Sequence, residues 1–360
     1  MEASPPRRKC RPPSPSASVD SLPPEILEKI VSHLPLRDAI RTSAVSRAWR
    51  RLWESAPGLA LEWDWRDGGT DPAVVGAVLA RYSAPVVRSF CFDLLLGSFW
   101  RANVWVPLLA AKGVQILKLN FSRCGDVDTH DMYASILSCR RLTCLHLSGG
   151  CEIPAAPSGL AGFPKLTSLF LQKVGFPDNG VRGLEALIAG SPLLEVLRLG
   201  ELWFTQDGED DHDEFEQWTI QAPNLRILSI TSYFYYGWQI EELPSIQEVE
   251  FTSSDYAATH DFVKPITRFA RVKVLSLEMP MRKVNALEGL SCSFENLKKL
   301  TLHTGFRILP TILSTLHLLK NAPYLENLNF EIMSSSNTQE DEVTVDHLNV
   351  AVHWMFVWQS

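Results

Sequence analysis

The chain has 360 residues, of which 46% are hydrophobic and 21% charged, and a formal net charge of -7. That is enough for one elongated domain plus a small one, or two ordinary domains, with a substantial core. The excess of acid excludes a global attraction to nucleic acid or to an anionic membrane surface. Seven cysteines, an odd number without CxxC spacing, argue against a zinc site or a disulfide framework and for reduced thiols in the cytoplasm and/or nucleus. No signal-peptide core and no run approaching the ~18 apolar residues of a membrane span is seen, so no membrane partner is expected.

Residues 1–18 are rich in Pro, Ser and Arg, have little to bury and read as a disordered tail. Its basic cluster, Arg7, Arg8, Lys9 and Arg11, fits a solvated tail or a nuclear import signal. From Leu22 the pattern becomes helical: Leu22, Ile26, Leu27, Ile30, Val31 and Leu34 recur on one helical face, Pro23 and Pro24 suit a first turn, and Pro35 stops the helix. A short second helix is predicted through Asp38–Ile40. A third is predicted from Val45, Ala48, Trp49 and Leu52, at i, i+3, i+4 and i+7.

The run Leu22-Pro23-x-Glu25-Ile26-Leu27-x-x-Ile30-x-x-His33-Leu34-Pro35-x-x-Asp38-Ala39-Ile40, followed by Ala44-Val45-Ser46-x-x-Trp49-Arg50-x-Leu52-Trp53, resembles an F-box over nearly its whole length. The resemblance implies docking to a Skp-type adaptor and, through it, to cullin and RING subunits. The residues matching the family's adaptor contact are Leu22, Pro23, Ile26, Leu27, Ile30 and Leu34. Their other role is packing within the three-helix unit.

Beyond residue 87 one pattern returns, apolar-x-x-apolar-x-apolar. It occurs at Val114-Leu117-Leu119, Leu142-Leu145-Leu147, Leu166-Leu169-Leu171, Leu194-Leu197-Leu199 and Leu225-Leu228-Ile230. It continues at Ile246-Val249-Phe251, Val272-Leu275-Leu277, Leu297-Leu300-Leu302 and Leu325-Leu328-Phe330, with a degenerate copy at Val87-Phe90-Phe92. First positions are 21 to 31 residues apart, the period of leucine-rich repeats. Pro164, Pro192, Pro223, Pro244 and Pro323 each sit two residues before a first position, far more often than 23 prolines in 360 residues would place them there. A proline there stops the incoming segment and starts an extended one. Helix-like returns are expected at Met132–Leu137, Gly183–Ala189 and Ile312–Leu319.

The predicted fold is α/β: a three-helix F-box (19–60), then a curved leucine-rich-repeat solenoid (85–332) with a parallel sheet on its concave face. With both parts present, the chain resembles the plant F-box/leucine-rich-repeat proteins, and Asn321-Ala322-Pro323-x-Leu325-Glu326 resembles the start of the FBD module many of them carry. Residues 333–360 read as an acidic linker ending in a C-terminal strand or a truncated FBD-like end, with Val350, Val352, Trp354, Phe356 and Trp358 alternating.

No phosphate-binding Gly loop, nucleophile elbow or metalloprotease helix is present, so no catalytic residue, cofactor or metal is expected. His146 and His303 fall at exposed strand positions without a paired acid at useful sequence spacing. The acidic run Asp207, Glu209, Asp210, Asp211, Asp213, Glu214 and Glu216 lacks calcium-loop spacing and reads as a solvated loop. The family resemblance implies that the repeats hold a target protein. Candidate target contacts are Trp203 and Phe204, which follow one strand, and Tyr233, Tyr235, Tyr236 and Trp238, which follow the next. The alternative is that these rings cover the core. By strand alternation Glu248, Glu250 and Glu278 project on one face, with Lys299 and His303 beyond, an acidic patch grading to basic.

Overall fold

The computed structural model describes residues 22–63, 71–95, 100–123, 135–153, 162–176, 180–204, 217–232, 237–253, 262–279, 285–304 and 309–332. The basic tail, the acidic run, Tyr233, Tyr235, Tyr236 and the C-terminal alternating segment lie outside the described residues.

Helix α1 (Pro24–Ser32) opens on Pro23 and Pro24, carries Glu25 at its positive end and Lys29 in its last turn, and turns Leu27 and Val31 inward. Pro35 caps α2 (Leu36–Arg41), which buries Leu36 and Ala39. A 3-10 turn, Thr42–Ala44, follows. The third helix differs from the expectation. It is a single turn, α3 (Leu52–Ser55), because Arg51 sits in the left-handed region (φ 69°) and the Ser46 hydroxyl accepts the Ala48 N–H, which breaks helical propagation from Val45. Val45 is therefore 67% exposed and Ala48 exposed, while Trp49 and Trp53 turn inward.

The rest is strands and returns: β1 (Leu59–Glu62), α4 (Pro72–Arg81), β2 (Val87–Leu95), α5 (Trp100–Ala111), β3 (Ile116–Arg123), β4 (Cys144–Glu152), β5 (Ser168–Phe176), α6 (Gly180–Ala189) and β6 (Val196–Gly200). Then come β7 (Trp203–Phe204), β8 (Trp218–Ile220), β9 (Ile227–Ser232), β10 (Trp238–Ile240), β11 (Glu248–Ser253), α7 (Val263–Arg268), β12 (Val274–Glu278), β13 (Lys299–Thr304), α8 (Leu309–Lys320) and β14 (Asn327–Ile332). One open parallel sheet runs β1-β2-β3-β4-β5-β6-β9-β11-β12-β13-β14, so each strand pairs with its successor in the repeat. β7 adds to β5, and β8 pairs with β10 apart from the main sheet.

The register explains the repeated apolar triplet. Leu117, Leu145, Leu169, Leu197, Leu228, Val249, Leu275, Leu300 and Leu328 are cross-strand partners in one continuous row. Two residues on, Leu119, Leu147, Leu171, Leu199, Ile230, Phe251, Leu277, Leu302 and Phe330 form a second. Nearly all of them are buried, and each fully buried side chain contributes about 1.5–3 kcal/mol. Phe90 and Phe92 extend the rows into β2, and Leu61 of β1 faces Phe90, so the sheet begins one strand earlier than the sequence pattern suggests.

The prolines occupy tight turns. Leu166, Leu194, Leu225, Ile246 and Leu325 each donate their N–H to the carbonyl three residues back, across Pro164, Pro192, Pro223, Pro244 and Pro323. Proline at the second turn position pre-sets the required φ. Asn321–Leu325, which resembles an FBD start, makes this same turn ahead of β14. After each turn one carbonyl accepts two consecutive N–H groups of the next repeat, as Thr143 O does from Thr167 and Ser168. Buried hydroxyls link the returns: Ser191 Oγ accepts the Phe163 N–H and donates to Leu187 O, and Ser314 Oγ accepts the Ala286 N–H. Helices α6 and α8 overlap two of the expected returns; of the third, residues 132–134 lie outside the described residues.

Candidate functional site

The F-box helices are fastened to the start of the sheet. Arg88 Nη2 on β2 donates to the Ser32 carbonyl at 2.9 Å, and within the F-box Ser55 Oγ on α3 donates to Glu28 Oε1 on α1 at 3.0 Å. Glu54, buried in the seam, accepts from Arg81 Nη2 at 2.6 Å and from Arg51 Nε at 2.9 Å, while its carbonyl accepts the Ser83 and Ala84 N–H groups. Arg81 also lies over the Trp53 ring, 5.5 Å from its centroid. The Tyr82 hydroxyl, fully buried, accepts the Leu59 N–H at 3.2 Å and lies 2.7 Å from the Ala56 carbonyl and 2.9 Å from that of Val86. Burial holds its pKa above the ordinary 10.0. A surface on α1 is thus positioned relative to the strands.

That surface divides the six F-box residues matched above. Ile26 and Ile30, one turn apart on α1, are 44% and 39% exposed, and Leu22 (38%) and Pro23, in the extended segment just ahead of the helix, are exposed as well. Exposed apolar side chains grouped on one surface are a feature of interaction sites. Leu27 is 3% exposed and packs inward, and Leu34 is half-buried against the same core, so these two serve the fold. Val45 is a further exposed apolar residue that helical periodicity had assigned to the interior.

The sheet offers the second surface. Its strands alternate between buried and half-exposed positions, as β4 does along its length, so one face covers the core and the other is open. Glu248 and Glu250 lie together on the open face, alternating with buried Val249 and Phe251. Glu250 accepts the Ser229 hydroxyl at 2.8 Å. Glu278 shares a register row with His303 but is itself buried. His303 is not without an acid: Nδ1 lies 3.2 Å from Glu331 on β14, and Nε2 lies 2.9 Å from Ser276 Oγ. His146 is half-buried, stacked on Phe170 at 5.5 Å, and burial, followed by the Lys118 charge, lowers its pKa.

Two comparisons bear on identity. The F-box domain matches residues 19–59, and the LRR repeats of FBD-associated F-box protein At5g56370 match residues 102–245. In both parts the chain is similar to the plant F-box/leucine-rich-repeat proteins. Arabidopsis thaliana F-box/FBD/LRR-repeat protein At1g13570 is 30% identical over 60% of this chain and 49% of its own length. F-box/LRR-repeat protein At3g03360 of the same plant is 25% identical over 95% of this chain and 76% of its own length. The chain spans about half the length of some of the curated relatives it matches and about three quarters of others. An F-box domain generally binds Skp-type adaptors.

In this F-box/leucine-rich-repeat chain the aromatic candidates separate. Trp238 is core, not surface: it is 5% exposed, its strand β10 pairs Trp238 with Trp218 on β8, and its ring meets Phe251 edge-on at 5.2 Å. A ring in that position completes the covering of the sheet. Phe204 is half-buried and stacks on Phe176 at 5.2 Å. Trp203 is also half-buried, its indole lying against the backbone of Gly175 with no room for a Cβ. Among the described residues no group of three or more His, Cys, Asp or Glu side chains could hold a metal ion, and no helix is long and apolar enough to cross a membrane.

Proposed function

We propose that this chain is the substrate-receptor subunit of a Skp-cullin-F-box (SCF) ubiquitin ligase. Its F-box binds the Skp-type adaptor, and its repeats, continuing as a curved solenoid with the parallel sheet on the concave face, hold a target protein for degradation in the cytoplasm or nucleus. The observation that carries this reading is the exposed apolar group of Ile26 and Ile30 on α1 with Leu22 and Pro23 just ahead of it, on a helix whose C-terminal end is fastened to the sheet. The receptor itself supplies no reacting group. Its contribution is proximity: target lysines are held beside a conjugating enzyme recruited through cullin and RING subunits, which raises their effective concentration. The hydrogen-bonded seam around Glu54 and Tyr82 suits that role, since effective concentration depends on a fixed separation between the two ends.

Co-expression with a Skp-type adaptor, followed by capture with cullin and RING subunits, tests this. A stoichiometric four-component complex is expected. A chain that folds but passes through the adaptor column alone would instead be a repeat scaffold with no role in ubiquitin transfer.

A further inference from the structure

The open face of the sheet is divided by charge. Residues 116–120, 144–148, 168–172 and 196–200 of β3 to β6 contain no Asp or Glu, whereas β11 and β12 carry Glu248, Glu250 and Glu278. In the acid-free half, Lys118, His146, Phe170 and Arg198 are successive partners in one register row. Phe170 is flanked on both sides: the His146 ring stacks on it, and the Arg198 guanidinium stands 5.7 Å from its centroid. Lys118 and Arg198 are exposed, and among the described residues neither forms a salt bridge. Of the carboxylates on the flanking segments, Glu62 takes the Ser89 hydroxyl, Glu201 meets Lys173 and Gln172, and Asp93 on β2 is the register partner of Asn120, one row along from Lys118.

Two solvated cations at the ends of a row with an aromatic platform between them form a recognition surface for anions carried on an apolar-containing chain. Parallel strands lie about 4.8 Å apart, so Lys118 and Arg198, three spacings apart, are separated by ~14 Å. An extended peptide covers that span in about four residues. We propose that this half of the open face seats an acidic, extended segment of a partner protein, with carboxylates about four residues apart meeting Lys118 and Arg198 and an apolar side chain between them lying on Phe170. That the partner is a degradation target rests on the receptor reading above; the peptide contact stands apart from it. Nucleic acid is disfavoured by a net charge of -7 and by the acidic strands further along the same face.

The test uses the purified full chain and two labelled short peptides, one with glutamates spaced about four residues apart around a leucine, the other with glutamines in their place. Fluorescence anisotropy should show saturable binding of the glutamate peptide alone. The Lys118→Glu/Arg198→Glu variant should weaken it at least about tenfold, and the Lys118→Gln/Arg198→Gln variant less, both with unchanged melting, while Glu250→Gln should leave it intact. No saturable binding to the wild type, equal binding of the glutamine peptide, or equal affinity in the folded charge variants overturns the proposal. Tighter binding of a single-stranded oligonucleotide than of the peptide also overturns it. Adaptor capture is measured in parallel: its loss with peptide binding intact sinks the receptor reading and leaves this surface standing.

Discussion

Replacing Tyr82 with Phe removes one oxygen from the joint between F-box and sheet. The Tyr82 hydroxyl is the partner of the Leu59 N–H, and Leu59 and Ala56 are both fully buried. Val86 O keeps the Gly58 N–H after the substitution, so the groups left without a partner are the Leu59 N–H and the Ala56 carbonyl. A stranded buried polar group costs about 1–3 kcal/mol, so the pair should cost about 2–6 kcal/mol. Urea unfolding followed by tryptophan fluorescence should show a lower midpoint at unchanged slope. Tyr324→Phe is the control, because Tyr324 is 60% exposed. Alkali gives a second readout. Burial raises the Tyr82 pKa above 10.0, so the folded state holds its proton longer than the unfolded state. Wild-type stability is therefore intact below pH 10 and falls as pH rises through the folded pKa, and this part of the decline should vanish in Tyr82→Phe. A Tyr82→Phe protein as stable as Tyr324→Phe, with the same alkaline slope as wild type, would refute the joint described here.

Trp49→Ala should cost about 3–5 kcal/mol, because Trp49 is buried although it lies outside any helix; a near-neutral effect would mean that the F-box packs differently. Cys139, whose pKa burial pushes up to about 12, should resist alkylation at mildly alkaline pH until the chain is unfolded. Its contribution to stability is intact below the ordinary thiol value of 9.0 and is lost as pH rises through about 12. Rapid native labelling, located by mass spectrometry, would count against its burial. Gly162→Ala should destabilise the chain by about 1–3 kcal/mol, since φ is +45° there and a Cβ would meet the backbone of Gly190, which cannot swing aside; calorimetry decides it.

The parts of the fold legible in the sequence were those in which one residue type answers one physical demand many times over. Leucines at fixed offsets became continuous buried rows because a parallel sheet in chain order places equal repeat positions side by side. Prolines two residues earlier marked the turns because their φ fits. The third F-box helix was misread because the apolar spacing of Val45, Ala48, Trp49 and Leu52 matched helical periodicity, while the backbone is broken by left-handed Arg51. Helices α4 and α5 and the first strand, Leu59–Glu62, are not legible in the sequence: the strand is only four residues long.

The candidate surfaces were partly legible. The exposed stripe on α1 follows from the F-box motif, but only the packed structure separates Ile26 and Ile30, which face out, from Leu27, which faces in. Trp238 reads from the sequence as a surface contact because nothing in its local sequence reveals its pairing with Trp218. The His303–Glu331 pair and the row from Lys118 to Arg198 join residues of different repeats, and sequence spacing alone does not bring them together until the register is known.

The affinity of a purified Skp-type adaptor for the wild-type chain and for Ile26→Asp/Ile30→Asp, measured by calorimetry, tests the central claim most directly. Both side chains face solvent on α1, so the variant should fold and melt as the wild type does. Burying two carboxylates at an apolar contact should cost at least about 2 kcal/mol, a loss of ~30-fold or more in affinity. A tight wild-type complex and a weakened, normally folded variant is the predicted result; a wild type that does not bind the adaptor, or a variant that binds it equally well, would contradict the account.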